Sequence, residues 1–146
     1  NMTKREIRYR NTALNGVFYY DTKEISEAQK INELGPLGFE EYCREHVKKL
    51  GYEVKTCQNY DGGIDIRAMK VLDNLETEYL IVQCKHWKTP IPPNEMRAFK
   101  TACDEEQSDY KKVKMFITSS RFSPSAKELA NKHNIIMING DDLIKQ

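Results

Sequence analysis

From Gly35 onward the apolar positions switch repeatedly between a helical and a strand rhythm. Phe39, Cys43, Val47 and Leu50 fall on one face at helical spacing. Pro36 suits the start of that helix, and Gly51 suits its stop. "YEVKTCQ", "GGIDIRAMKV" and "YLIVQCKHW" then read as three strands, and the polar turn "LDNLETE" makes the last two a hairpin. "PIPP" cannot continue a central strand. A helix is expected from about Asn94, its cap, to Glu106. "KVKMFITS" reads as a strand, and "SPSAKELANKH" as a helix capped by Ser123 with Pro124 at its first position. "IIMIN" is a short buried strand and "GDDLIKQ" a final short helix. The order is αβββαβ, then αβ. Consecutive strands imply antiparallel pairing and helix-linked strands imply parallel pairing. The fold class is therefore α/β, with a mixed central sheet flanked by helices.

Residues 1–34 differ. They are polar and irregular, with an aromatic patch at "VFYY". "TKEISEAQKINEL" suggests a helix with Thr22 as cap and a narrow stripe of Ile25, Ala28 and Ile31. This segment reads as an N-terminal arm or linker, and 35–146 as one domain. No repeat or low-complexity segment is evident.

Alternation sorts the third strand. Leu80, Val82, Cys84 and His86 take one face; Tyr79, Ile81, Gln83 and Lys85 take the other. An amide and an ammonium thus project together where an apolar strand turns polar. In "GGIDI", Ile64 and Ile66 are expected to share a face and Asp65 to point oppositely, beside Gln83 and Lys85. Gly62 and Gly63 permit a sharp bend there. Glu40 sits at the edge of the first helix's apolar stripe, whereas Glu41 faces solvent. Glu40, Asp65, Gln83 and Lys85 would support metal-assisted phosphodiester hydrolysis. Carboxylate and amide oxygens, with the backbone carbonyl of Cys84, suit a hard cation such as magnesium. Lys85 would hold a water and offset transition-state charge. A bland reading stands beside this one: an edge salt bridge between Glu40 and Lys85, a turn acid at Asp65, and a strand amide at Gln83. The residues alone leave both open.

The chain has 146 residues with Lys plus Arg 23 and Asp plus Glu 22, a net charge of +1. That balance excludes a strongly basic nucleic-acid-coating protein but not a local basic groove. Lys48, Lys49, Lys88, Lys111, Lys112 and Lys114 would contact phosphates or simply solvate their faces. No apolar run is long enough for a bilayer and no signal-peptide pattern appears, so no membrane is expected and the cytoplasm is the expected location. The four cysteines, Cys43, Cys57, Cys84 and Cys103, form no C-x-x-C pair, which argues against a zinc knuckle. His86 reads as a packed histidine, and Trp87 as a core cap in preference to a ring that stacks on a base. Ser119, Ser120 and Ser123 have no His and acid nearby in sequence to make a nucleophile.

"FEEYCREHVKKLGYEV", "DGGIDI", "VQCKHW", "KMFITSSRFSPSAKELA" and "IIMINGDDL" occur in that order across about Gly35 to Leu143. Together they resemble the Mrr-like branch of the PD-(D/E)xK nuclease superfamily. The resemblance implies a restriction-endonuclease-like core. It assigns the family's helix glutamate to Glu40, its G-x-D aspartate to Asp65 and its Q-x-K motif to Gln83 and Lys85. Glutamine replaces the usual superfamily acid, as in the Mrr-like variant. The run before the aspartate, "QNYDGGID", departs from the family's longer acidic-glycine stretch and leaves the role of Asp61 open. The implied activity is a magnesium-dependent DNA endonuclease, with manganese as a substitute, serving restriction or defence against foreign or modified DNA. The implied partner is double-stranded DNA, with a separate DNA-recognition domain or subunit; a homodimer is a further expectation. A junction-resolving or repair nuclease on the same fold is one alternative, and a catalytically inactive DNA-binding module another.

Overall fold

A computed structural model describes residues 7–11, 16–20, 25–55 and 63–145. The chain divides into two units, Asn1–Glu33 and Leu34–Gln146. In the first, β1 (Ile7–Asn11) and β2 (Gly16–Tyr20) pair antiparallel, with Ile7 opposite Tyr20. The expected irregular stretch thus contains a hairpin. Its aromatic patch is a strand, as β-branched and aromatic residues favour. Helix α1 (Glu27–Glu33) follows. Its cap is Ser26, whose Oγ accepts from the Gln29 N–H at 3.1 Å while Gln29 Oε1 accepts from the Ser26 N–H at 3.4 Å. This reciprocal capping box outcompetes the expected cap at Thr22, which lies outside the described residues.

In the second unit, α2 (Pro36–Lys49) starts on its proline and buries Phe39, Cys43, His46 and Val47. Leu50 leaves the predicted stripe: it is the C-cap and 39% exposed. Gly51 stops the helix at φ +94°, a conformation that favours glycine. β3 (Glu53–Lys55) is short, and the rest of the expected first strand, including Cys57, lies outside the described residues, as do Asp61 and Gly62. β4 (Ile66–Val71) and β5 (Thr77–Lys85) form the expected hairpin. β5 begins and ends two residues earlier than its apolar run suggests, because the turn closes by the Leu72 N–H donating to the Glu76 carbonyl at 2.8 Å.

Helix α3 (Pro93–Glu105) is preceded by Pro92 as N-cap, so Asn94 lies inside it. Pro93 wins the first position because its missing N–H is an orphan donor there anyway. β6 (Lys111–Thr118), α4 (Pro124–Lys132), β7 (Ile135–Ile138) and α5 (Gly140–Ile144) complete the chain. Ser123 caps α4 by accepting from the Ala126 N–H at 3.1 Å, as expected.

The five strands of this unit run in the order β3-β4-β5-β6-β7. β3, β4 and β5 are antiparallel, whereas β5, β6 and β7 are parallel. This is the mixed α/β sheet expected. Helix α2 covers one face, stacking Phe39 on His86 with ring centroids 4.8 Å apart. Helices α3 and α4 cover the other, where Ile81, Met96, Phe99, Phe116, Ala126 and Ala130 share one buried cluster. Phe116 meets Phe99 and Phe122 edge-on, each with centroids at 5.5 Å.

Candidate active site

Topology gathers the candidate residues at one end of the sheet. β5 and β6 are parallel, so their C-terminal ends coincide; β4 is antiparallel, so its start lies there too. Ligands of open α/β sheets bind outside such carboxyl ends. Asp65 immediately precedes β4, and Gln83 and Lys85 close β5.

The ladder between β4 and β5 ends abruptly here. The Asp65 N–H donates to the Val82 carbonyl at 2.8 Å, and upstream the chain turns away. Gly63, at φ +104°, makes that turn; a Cβ on it would sit 3.4 Å from Gln83 Oε1 and 3.5 Å from Ala102 Cβ. The turn breaks the expected alternation. Ile66 pairs with Val82, but Ile64 packs in the cluster under α3 and α4 instead of sharing Ile66's face. The Cys84 N–H, deprived of a ladder acceptor, donates to Asp65 Oδ2 at 2.7 Å. Gln83 Nε2 donates to that same oxygen at 2.6 Å. Two donors on one oxygen fix the carboxylate, and one of them is backbone. Gln83 itself is only 7% exposed, so its amide depends on this partner.

Lys85 is on the same face, held otherwise. Its ammonium lies 3.3 Å from Glu95 Oε1 on α3 and 5.9 Å from the centre of the Trp87 ring. Its carbonyl accepts from Thr118 Oγ1 at 2.9 Å and from the Ser119 N–H at 3.2 Å. Glu40 approaches from the opposite layer and is paired with Arg44 at 2.6 Å, which also takes Glu41 at 3.1 Å. Glu40 therefore does not form the edge salt bridge with Lys85 that the bland reading supposed. The Cys84 thiol is pushed well above its ordinary range, first by its hydrogen bond with Cys43 and then by burial, with Asp65 and Glu40 adding to the effect.

Glu95 escaped sequence reading, although a signal existed. It precedes the buried Phe99 by four residues and Ala102 by seven, which puts an acid at the head of α3's inward face. Ser119 does have a histidine partner: His86 Nδ1 lies 2.7 Å from its Oγ. Strand pairing brings the two together across 33 residues. His86 lies flat on Phe39, and Ser119 Oγ also donates to the Trp87 carbonyl, which makes the pair a pin between loops. Lys112 is likewise committed, donating to the carbonyls of Cys103 and Glu106 at 2.9 and 3.1 Å.

Among the described residues no three His, Cys, Asp or Glu side chains group to hold a metal. The donors at the sheet end are of another kind: the Asp65 carboxylate, the Gln83 amide oxygen and the Cys84 carbonyl. Gln83 Nε2 stands 2.6 Å from Asp65 Oδ2 and 3.4 Å from the Cys84 oxygen, the positive end of a dipole between two oxygens. This all-oxygen set fits a hard divalent cation that keeps most of its waters, with Gln83 contributing its oxygen once the amide turns over.

Residues 31–146 match the Mrr-type catalytic domain of restriction endonucleases. The chain belongs to that family. Among solved structures, this Mrr-type domain is similar to the DNA modification-dependent restriction endonuclease AspBHI, with a TM-score of 0.61 and 15% identity over 80% of this chain and 33% of that one. It is also similar to the restriction endonuclease MspJI, solved in complex with a 27-mer oligonucleotide, with a TM-score of 0.53 and 16% identity over 72% of this chain and 25% of that one. The fold is thus that of restriction endonucleases, and the chain corresponds to a quarter to a third of each neighbour's length. No curated protein sequence matches it. Among the described residues no helix is long and apolar enough to cross a membrane.

Proposed function

We propose that the Leu34–Gln146 unit is a divalent-metal-dependent DNA endonuclease domain acting on double-stranded DNA in restriction or defence. The observation that carries this reading is the convergence of Gln83 and the Cys84 backbone on one oxygen of Asp65, with Lys85 two residues further along the same strand. Asp65, Gln83 and the Cys84 carbonyl are the ligands in this reading, and magnesium, or manganese in its place, is the cation. Bound there, it would polarise the phosphate and lower the pKa of a water. Lys85 orients that water and offsets charge on the pentavalent transition state. Glu40 supports the site electrostatically from α2. The arm at 1–34, a homodimer, a cytoplasmic location and a separate DNA-reading domain or subunit belong to the same reading. The last accords with the chain's share of its structural neighbours' length.

The test is incubation with methylated and unmethylated plasmid DNA, with magnesium and with chelator, for the wild type, Asp65→Ala and Lys85→Ala. Magnesium-dependent cleavage lost in both variants is expected. Cleavage that survives chelator or both substitutions would sink the mechanism. Shifted DNA without cleavage would favour a binding module, and preference for branched DNA a junction nuclease.

A further inference from the structure

We propose that Glu95 is the positioning residue of Lys85: it holds the lysine ammonium at the sheet end from a helix that otherwise only walls the site. The proposal rests on the nuclease reading of Asp65, Gln83 and Lys85.

Lys85 carries its charge on a flexible four-carbon stem, so something must choose its rotamer. Its side chain is 30% exposed; among the described residues no backbone group bonds its ammonium, and Glu95 at 3.3 Å and the Trp87 face at 5.9 Å define where it sits. Glu95's own platform is rigid. It occupies the first turn of α3, two residues after Pro93. The preceding Ile91 is fully buried, and it is tied to the loop after β6 by its N–H to Arg121 O at 2.7 Å and by Ser123 N–H to its carbonyl at 3.0 Å. The far end of α3 is clamped as well, by Arg67 on Glu106 at 2.6 Å and by Lys112 on the last carbonyls. A carboxylate on such a platform fixes a flexible cation at low entropic cost.

The fold has little need of the pair. A half-exposed ion pair shifts a folding equilibrium by roughly fivefold at most. Misplacing a catalytic group by about 1 Å costs on the order of 100-fold in rate. The two roles therefore separate by experiment.

Glu95→Gln, Lys85→Met and the double variant of the full chain are compared for cleavage, thermal melting and the 15N-detected signal of the Lys85 ammonium, which survives only where exchange with water is slow. Expected for Glu95→Gln are about a tenfold or larger fall in kcat, unchanged KM for DNA, unchanged magnesium half-saturation, melting within about 5 °C of the wild type and loss of the ammonium signal. Added to Lys85→Met, it changes nothing further. Full activity with an intact ammonium signal in Glu95→Gln overturns the proposal, as does a melting temperature lowered by more than about 5 °C, beyond what such a pair contributes. An additive loss in the double variant, or a shifted magnesium requirement, also overturns it by making Glu95 act directly. A wild type that cuts no DNA overturns the nuclease reading instead, and the ammonium signal then still decides whether Glu95 holds Lys85.

Discussion

At the scale of single residues, glutamine at position 83 is the most informative choice in the chain. Its Nε2 donates to Asp65 Oδ2 at 2.6 Å, so the amide and the carboxylate satisfy each other. A glutamate there could not donate and would set two carboxylates against each other. Gln83→Glu should therefore lower metal-free stability by about 1–3 kcal/mol, the cost of an unsatisfied buried acceptor. Magnesium should more than restore it, because two carboxylates bind a hard cation better than one. Melting curves with and without magnesium check this; an undiminished metal-free melting temperature would count against the Asp65–Gln83 contact. Gln83→Ala should weaken magnesium binding in a calorimetric titration. That Gln83 and Lys85 share a face was legible in the sequence because strand alternation fixes it, and Asp65's place beside Gln83 follows from the hairpin expected between their strands. Glu95 was not, because nothing local says that the start of α3 lies over the end of β5.

At the scale of elements, contacts distant in sequence decide where α3 lies. Glu106, its C-cap, takes Arg67 of β4 through two hydrogen bonds at 2.6 and 3.0 Å and Tyr79 of β5 at 2.5 Å. Arg67 holds the Glu106 carboxyl below its ordinary 4.5, with burial opposing and Tyr79 assisting. Burial, then the bond to Glu106, pushes Tyr79 up to about 12. A depressed carboxylate stabilises the fold fully above its unfolded pKa and loses that contribution as pH falls through the folded one. Glu106→Gln should accordingly flatten the loss of stability below pH 4.5, measured by urea unfolding across the acid range. A second element contact is tighter. A Cβ on Gly140 would lie 2.2 Å from the Ser119 carbonyl oxygen, in the loop that bonds Lys85. Backbone cannot yield as a side-chain tip does, so Gly140→Ala should cost about 1–3 kcal/mol and lower cleavage with it. An unchanged urea midpoint would show that the loop moves freely. Sequence reading recovered the helices and strands of this unit from their periodicity. It misplaced the start of α3 at Asn94, where Pro92 and Pro93 rather than periodicity set the boundary, and in the first unit it put the cap of α1 at Thr22 where Ser26 caps.

At the scale of the molecule, the sheet collects the candidate site from both layers unequally. Asp65, Gln83 and the Cys84 backbone form one hydrogen-bonded group, and Lys85 joins Glu95 on the α3 side. Glu40 comes from α2, across the sheet, with its carboxylate already given to Arg44 at 2.6 Å. Sequence order could not reveal this inequality, because it shows which residues can reach the sheet end and not which are already paired there. The inequality predicts how the molecule responds to metal. A ligand that binds only the folded state stabilises it by about 2.7 kcal/mol at a hundredfold excess over its Kd. Asp65→Ala should abolish magnesium's stabilisation of the whole unit, because it removes the one carboxylate in the donor set. Glu40→Gln should retain most of it and lose only the Arg44 pair, worth about 0.3–0.5 kcal/mol on an exposed helix. Its effect should appear in the cleavage rate. Thermal unfolding of both variants over a magnesium series decides the matter. If Glu40→Gln also removed the stabilisation, α2 would supply a ligand and the donor set drawn from β4 and β5 would be incomplete.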